Sequence, residues 1–325
     1  MTKADNEVTV RRVKGSEIYR VVDLIIQAFS MEISIIGLDV RRLRGMARLY
    51  RMLSHFYPVI DALGVDFETI LVAVADEEVV GEIHLVPHGK RLWSLDSAAV
   101  DSRFRGRGIY RKLLTEAVRY IFKRHGERIV TSLWTTNIAP VKVTNELKFE
   151  ILEKKELLCL EDIHASFPET KRGIYVRSAE EVDAKEICKM CSRLYPGRDE
   201  TCRAVLDDFS ESLLKRLRNR MTQSNSRKWI MKLNDEIIGY AKVTYTSSEE
   251  AANLEYFYVL PLEGSSDHIG IFLDEILAFL HCHNVVKATV SVNGEWKDVI
   301  REFERRRFRS VASIYEMERC SDNIP

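Results

Sequence analysis

The sequence predicts an α/β protein in which one domain design occurs twice. Three observations predict it. The chain has 325 residues, enough for two domains of ordinary size. Strand, helix, hairpin, strand, loop and helix recur in that order in both halves. The spacing between matching elements barely changes: 158 for Gly81 and Gly239, 159 for Val100 and Val259, and 156 for Asn137 and Asn293.

The elements follow in chain order. Val8-Thr-Val-Arg-Arg reads as a strand and precedes a helix from Ser16 to Phe29. Its twin is Ile174-Tyr-Val-Arg-Ser, followed by a helix from Glu180 to Leu194. From Leu38 to about Leu63 the first half has an extra helical stretch, with Leu43, Met46, Leu49, Tyr50 and Leu53 clustered. Ile70 to Val86 holds two β-rich runs around an acidic turn, and Trp229 to Val243 repeats that hairpin. Strands ending at Val100 and Val259 each lead through a loop into a helix. The first helix, about Gly108 to Arg124, carries Leu113, Leu114, Ala117, Val118, Ile121 and Phe122 at helical spacing; the second carries Phe272, Leu273, Ile276, Leu277 and Leu280. A further strand, an asparagine, a short helix, Phe149 or Phe308 and a last strand close each half. The expected domains are 8–161 and 173–318, with a connector at 162–172 that lacks periodicity.

Bulk properties exclude several classes. Hydrophobic residues at 46% and charged residues at 30% are the mix of a globular protein, and a formal net charge of +0 gives no drive toward nucleic acid or an anionic membrane. The first ten residues contain no apolar core of a signal peptide, and the longest apolar runs are strand-sized. A cytoplasmic, soluble protein is expected. The six cysteines are too sparse for a disulfide framework. Cys188 and Cys191 form a C-x-x-C, and His281-Cys282-His283 lies downstream, but a zinc site needs about four ligands. The pair falls within a helix and no second pair matches it, so no metal is expected.

The chemistry concentrates in Arg103-Phe104-Arg105-Gly106-Arg107-Gly108, between the strand ending at Val100 and the helix opening at Ile109 and Tyr110. Glycines let a backbone approach a ligand closely. The first N–H groups of a helix lack internal partners and, with the helix dipole, form an anion site. Arg103, Arg105, Arg107, Arg111 and Lys112 make the surroundings basic. The loop is not a P-loop, because no Gly-Lys-Ser/Thr follows, and it is not a Rossmann fingerprint, because the third glycine is missing.

In that context the loop resembles the acetyl-CoA signature of the GNAT superfamily, Gln/Arg-x-x-Gly-x-Gly/Ala. The order of the surrounding elements is similar too, as is Asn137-x-x-Pro140 with Leu147-Lys148-Phe149 downstream. The resemblance covers Val8 to Glu161 by motif and Gly173 to Glu318 by architecture. It implies two GNAT-like domains, each a mixed, mostly antiparallel central sheet flanked by helices. It also implies acetyl-CoA as co-substrate. The amides of Arg105, Gly106, Arg107, Gly108, Ile109 and the following Tyr110 would hold the pyrophosphate. The backbone of Ala98, Ala99 and Val100 would pair with the pantetheine arm, and Asn137 would contact that arm.

Two positions depart from the family pattern. Thr144 stands where a tyrosine usually serves as acid, and Lys148 stands where glycine is usual. The second half lacks the loop altogether: Leu260-Pro-Leu-Glu-Gly follows Val259, with Glu263 and Asp267 nearby, so it reads as a degenerate copy. For the base, Asp96 shares a strand face with Ala98 and Val100 by simple alternation, and Glu82 and His84 share a face of the neighbouring strand. Any of these three could take the proton, and Glu32 lies on the acceptor side as well. The sequence thus points to an N-acetyltransferase acting on an amine, with a small molecule favoured over a protein as acceptor. A non-catalytic CoA-binding module is the alternative, and an α/β binding protein without a CoA site is the third reading.

Overall fold

The computed structural model describes residues 8–36, 40–55, 57, 66–88, 91–164, 173–196, 199–209, 224–246, 250–262 and 265–320. The end of the long helical stretch, 58–63, and the connector 165–172 lie outside these residues.

The β-branched runs become strands as their patterns require. β1 is Thr9–Arg12, β2 Thr69–Ala75 and β3 Glu78–Pro87. The turn between β2 and β3 places both Asp76 and Glu77 at positive φ, 49° and 65°. That is the turn hand which matches the twist of a hairpin. Asn234 and Asp235, at φ 49° and 68°, do the same between β8 (Ser224–Leu233) and β9 (Glu236–Thr246). β4 is Leu92–Val100 and β5 Arg128–Trp134. The helices of this part are α1 Ile18–Ala28, α2 Ser30–Ile36, α3 Val40–Ser54, α4 Ile109–Lys123 and α5 Ile138–Glu146.

The chain forms two compact units: one is Met1–Ser34, Asp39–Lys155 and Ser313–Pro325, the other Ile35–Leu38 and Glu156–Ala312. In the first unit the sheet order is β1-β2-β3-β4-β5-β12, where β12 is Arg309–Cys320. β12 lies antiparallel to β5, from Ile314 opposite Trp134 to Cys320 opposite Arg128. Ion pairing of Arg128 with Glu318 and a hydrogen bond from Arg319 to the Leu147 carbonyl (2.6 Å) secure it. In the second unit β6 (Glu150–Glu161) begins the order β6-β11-β10-β9-β8-β7, with β7 at Ile174–Ser178, β10 at Ala251–Val259 and β11 at Lys287–Asn293. Its helices are α6 Ala184–Leu194, α7 Asp199–Phe209, α8 Ser265–Cys282 and α9 Lys297–Arg305.

These units are not the consecutive stretches 8–161 and 173–318. Each takes its final strand from the other half of the sequence. β6 and β12 are both 12 residues long and close their repeats in the same way, so the sequence pattern alone fits either strand to either sheet. The fold is otherwise the expected one: mixed α/β, with a large sheet flanked by helices.

The first unit has a core on each face of its sheet. Trp93, Leu95, Ile83 and Leu85 meet Ile109, Leu113, Leu114, Ala117 and Ile121 of α4 on one face. Burying each such side chain stabilises the fold by about 2 kcal/mol. On the other face Ile70, Val72 and Ala99 meet Ile18, Val21 and Leu24 of α1 and Ala47 of α3. Gly81 allows α4 to sit close. A Cβ there would stand 3.1 Å from the Ala99 carbonyl oxygen and from Leu113 Cδ1, and 3.2 Å from Ile109 Cγ2.

Cys191 is fully buried on α6, where burial pushes its thiol up to about 12, and all six cysteines are free. Among the described residues no cluster of three or more His, Cys, Asp and Glu is arranged to hold a metal, and no helix is long and apolar enough to cross a membrane.

Candidate functional site

β4 sets the geometry. Its register with β3 shifts once: Leu85 pairs with Leu95, but His84 pairs with Ser97. Asp96 is the extra residue of a β-bulge. The bulge reverses the alternation along β4. Trp93 and Leu95 pack in the α4-side core, and so do Ala98 and Val100, whereas Ala99 packs on the α1 side. Asp96 therefore does not share a face with Ala98 and Val100 in the way simple alternation suggests.

Beside the bulge, β4 leaves β5. The parallel pairing runs from Leu92 opposite Arg128 to Leu95 opposite Thr131, while β4 continues to Val100 and β5 to Trp134. The direction of the freed groups follows from the hydrogen bond of Asp101 N–H to the Val80 carbonyl, 2.9 Å. Bonded and non-bonded pairs alternate in an antiparallel ladder. Val100, opposite Gly81, and Ala98, opposite Ile83, thus turn their N–H and C=O groups away from β3, toward the gap. Arg105 Nε donates to the Val100 carbonyl at 3.2 Å, as this orientation requires.

The gap leads up to the glycine loop. Gly106 and Gly108 hold φ of 76° and 75°, and an added Cβ on either would have no atom within 4 Å. Open space above a left-handed glycine backbone is room for a ligand. Gly108 is the N-cap of α4, so the first N–H groups of the helix face the same space. The arginines divide. Arg103 is tied to buried Asp101 (2.8 Å) and to Glu78 (2.6 Å), and Arg20 reaches the same two carboxylates. Arg103 chiefly, and Arg20 with it, hold Asp101 far below the usual carboxylate range. The Arg103 guanidinium is thus an anchor for the loop. Arg111 pairs with Glu146, and Lys112 donates to the Val8 carbonyl. Arg105 and Arg107 are exposed and bond only to backbone oxygens among the described residues.

On the α1 face Glu82 is 0% exposed, and its Oε1 has no hydrogen-bond partner. Burial raises its pKa to about 8, against weaker opposing pulls from the Ser97 hydroxyl (3.3 Å) and the Ala99 N–H. His84, one pair along, stands 3.7 Å from Glu68, which accepts a hydrogen bond from Tyr50 of α3. The Tyr50 and His84 rings meet edge-on at 5.8 Å. Asp96 itself is exposed and accepts a hydrogen bond from Ser94. Since the single Ser94 proton goes to Asp96, His88 Nε2, 2.8 Å from Ser94 Oγ, must donate.

Thr144 is fully buried and donates to the Pro140 carbonyl at 2.9 Å. Its oxygen lies 3.1 Å from the Tyr110 hydroxyl, which burial holds above its ordinary pKa. With the threonine proton on Pro140, Tyr110 is the donor of that contact. Asn137 caps α5 through its backbone alone; its side chain is exposed and makes no capping bond. Glu32, in the first turn of α2, is the one acceptor-side candidate with no contact to these groups to describe.

Residues 40–143 match the model of the acetyltransferase (GNAT) family. They form a GNAT domain. No curated protein matches the chain in sequence. Among solved structures it is similar to a tandem GNAT protein from the clavulanic acid biosynthesis pathway, at 13% identity, covering 97% of this chain and 98% of that one, with a TM-score of 0.64. A GCN5-related N-acetyltransferase from Sphaerobacter thermophilus is similar at 14% identity over 98% of this chain and 97% of that one, TM-score 0.67. A glucosamine N-acetyltransferase region of a fungal multi-domain β-N-acetylglucosaminidase is similar at 12% identity over 97% of this chain and 38% of that one, TM-score 0.67. At these identities the likeness concerns the fold.

The GNAT domain gathers most of the residues singled out in the sequence. Ala98, Val100, Arg105, Gly106, Arg107 and Gly108 line the gap or the loop. Ile109 points its side chain into the core and offers only its N–H, and Ala99 likewise packs inward. Sequence reasoning missed Ser97 and Ser94, which orient the two acidic candidates, and Glu316, which arrives with β12. Ser94, two residues from Asp96, was visible; the pairing of Ser97 with Glu82, 15 residues away, and the arrival of β12 were not.

Proposed function

We propose that the GNAT domain transfers the acetyl group of acetyl-CoA to an amine, with a small molecule as acceptor. One observation carries this reading: β4, unpaired with β5 beyond Leu95, forms an open strand edge that runs from an anion-binding helix start to a cleft. The four steps from Val100 back to Asp96 span about 13 Å. An extended arm anchored at the loop can follow that edge as an added strand would.

The roles follow from position. The N–H groups at Gly108 and the start of α4, with the charges of Arg105 and Arg107, take the pyrophosphate. The N–H groups of Ala98 and Val100 bond the arm, and such an N–H near the bulge polarises the thioester carbonyl. The Asn137 side chain, uncommitted in its own helix, contacts the arm.

Glu82 is the base this arrangement favours. A carboxylate with a pKa near 8 is a stronger base than a surface carboxylate, and its unpaired Oε1 can receive the proton directly or through one water. His84 is directed toward Glu68, and Asp96 toward Ser94, so neither is as well placed. Thr144 does not supply the acid, because its proton is committed to Pro140. A thiol of pKa about 8.5 leaves as thiolate without help.

The test has two parts. Acetyl-CoA should raise the melting temperature of the protein, and Gly106→Glu with Gly108→Glu should remove that shift. Thiol release should then appear with at least one amine. No shift in the wild type overturns cofactor binding; a shift without thiol release on any amine favours a non-catalytic CoA-binding module.

A further inference from the structure

We infer that the acceptor carries two positive charges: the amine to be acetylated, and a second cation held by Asp96 and Glu316. This inference rests on the acetyl-transfer reading above and specifies its acceptor.

The cleft at the parting of β4 and β5 has a volume of about 310 Å³, and Ser94, Asp96, Thr131, Ser132 and Glu316 are among its lining residues. It lies at the end of the open β4 edge farthest from the glycine loop, where an acceptor must meet the thioester. Its charge is one-sided. Asp96 is exposed, held in orientation by Ser94, and forms no ion pair with a described cation. Glu316 shares Lys155 with Glu153, so that ammonium serves two carboxylates at once. Two carboxylates, Asp96 and Glu316, thus line the cleft, and the ammonium that pairs with Glu316 is shared with Glu153.

Such a cleft acts differently on the two nitrogens of a dication. A carboxylate beside the reacting nitrogen stabilises its ammonium form and opposes attack. The same carboxylate beside a nitrogen that does not react simply binds it. Asp96 and Glu316, which line the cleft, are suited to the second task, while the reacting nitrogen gives its proton to Glu82 on the neighbouring strand. The cleft also discriminates against acceptors with a carboxylate, since Asp96 and Glu316 would both face it.

The measurement is acetyl-CoA-dependent thiol release by the full chain with three acceptors of one length: 1,4-diaminobutane, 1-aminobutane and 4-aminobutanoate. The expected order of kcat/KM is diamine, then monoamine, then amino acid, with the diamine ahead by roughly tenfold or more and the gain lying in KM. Raising ionic strength should raise KM for the diamine more than for the monoamine, a test that needs no variant. Asp96→Asn should shrink the diamine-to-monoamine ratio. Equal kcat/KM for diamine and monoamine, or a ratio that Asp96→Asn leaves intact, overturns the assignment while the transfer reading stands. Thiol release with none of the three, despite a melting shift with acetyl-CoA, overturns the assignment; extending the acceptors to other amines then decides separately whether the transfer reading falls too.

Discussion

Trp296 occupies in the second unit the place that Asn137 holds in the first. Each is the N-cap of the short helix that follows the parted strand, with φ and ψ of −79° and 67° for Trp296 and −82° and 66° for Asn137. The equivalence of Asn137 with Asn293 suggested by the sequence is therefore three residues out of step; the offset of 159 seen for Val100 and Val259 holds here as well. The second unit keeps the rest of the plan. β10 has its own register shift between Leu254 and Tyr256, which leaves Glu255 where Asp96 stands, and its pairing with β11 ends at Leu254 opposite Val290.

The cap of the second unit's short helix is aromatic. Trp296 meets Tyr195 at 5.6 Å and Tyr258 at 6.5 Å, and the residues that match Trp296 and Tyr258 in the first unit are Asn137 and Ala99. One acetyl-CoA per chain is the expected stoichiometry by titration calorimetry, and Gly106→Glu with Gly108→Glu should abolish all of the heat. Two sites per chain, or residual binding in that variant, would show that the second unit also takes the cofactor.

Glu82 should govern a pH limb of both rate and stability. As a base it works ionised, so kcat/KM should climb with pH up to about 8 and then level. Glu82→Gln should flatten that limb and lower the rate by about a hundredfold or more. The stability effect has the opposite slope. A carboxyl with its pKa raised by the fold binds its proton more tightly folded than unfolded. Its contribution is complete below the unfolded value and fades by up to about 1.4 kcal/mol per pH unit as pH rises toward 8. Glu82→Gln, which cannot ionise, should therefore gain on the wild type in melting temperature between pH 5 and pH 8. A constant gap would mean that Glu82 is charged throughout.

Gly81→Val should destabilise the protein by about 1–3 kcal/mol in urea unfolding, because the new side chain must displace Leu113 or Ile109 or push β3 from β4. Acetyl-CoA binding should weaken along with it, since α4 starts the loop's helix and is the element displaced. Unchanged stability would show that α4 can shift freely.

Deletion of 309–325 should expose the edge of β5. The Thr135 N–H bonds the Ser313 carbonyl, so the alternate amides of Ile129, Thr131 and Leu133 also face β12 and would lose protection in hydrogen exchange, while the Arg128 amide, bonded to the Arg91 carbonyl, would keep it. Retained protection would mean that another strand takes its place.

The sequence carried the local features well and the long-range ones poorly. The glycine loop, both hairpins and the apolar face of α4 were legible, because each is written in neighbouring residues. The face of Asp96 was not, since a single extra residue between Leu95 and Ser97 reverses the alternation, and nothing in Ser-Leu-Asp-Ser-Ala marks a bulge. The Tyr110 contact to Thr144 joins residues 34 apart in sequence. The lost tyrosine at Thr144 was a hint that the surrounding space is filled from elsewhere. The bond of Asp101 to Arg103 was near enough to be read, yet a basic loop reads first as a phosphate site and only later as an ion-paired anchor.

The exchange of final strands makes the order of synthesis and the order of completion run in opposite directions. A ribosome delivers nearly all of the first unit first, yet that unit waits for Ile314–Cys320 to close its sheet. At ordinary elongation rates the wait is roughly ten to thirty seconds. During it β5 offers an open edge, so a nascent chain of this protein is a client for any chaperone that shields unpaired strands. A chain cut short before Ile314 would thus keep that edge open for good.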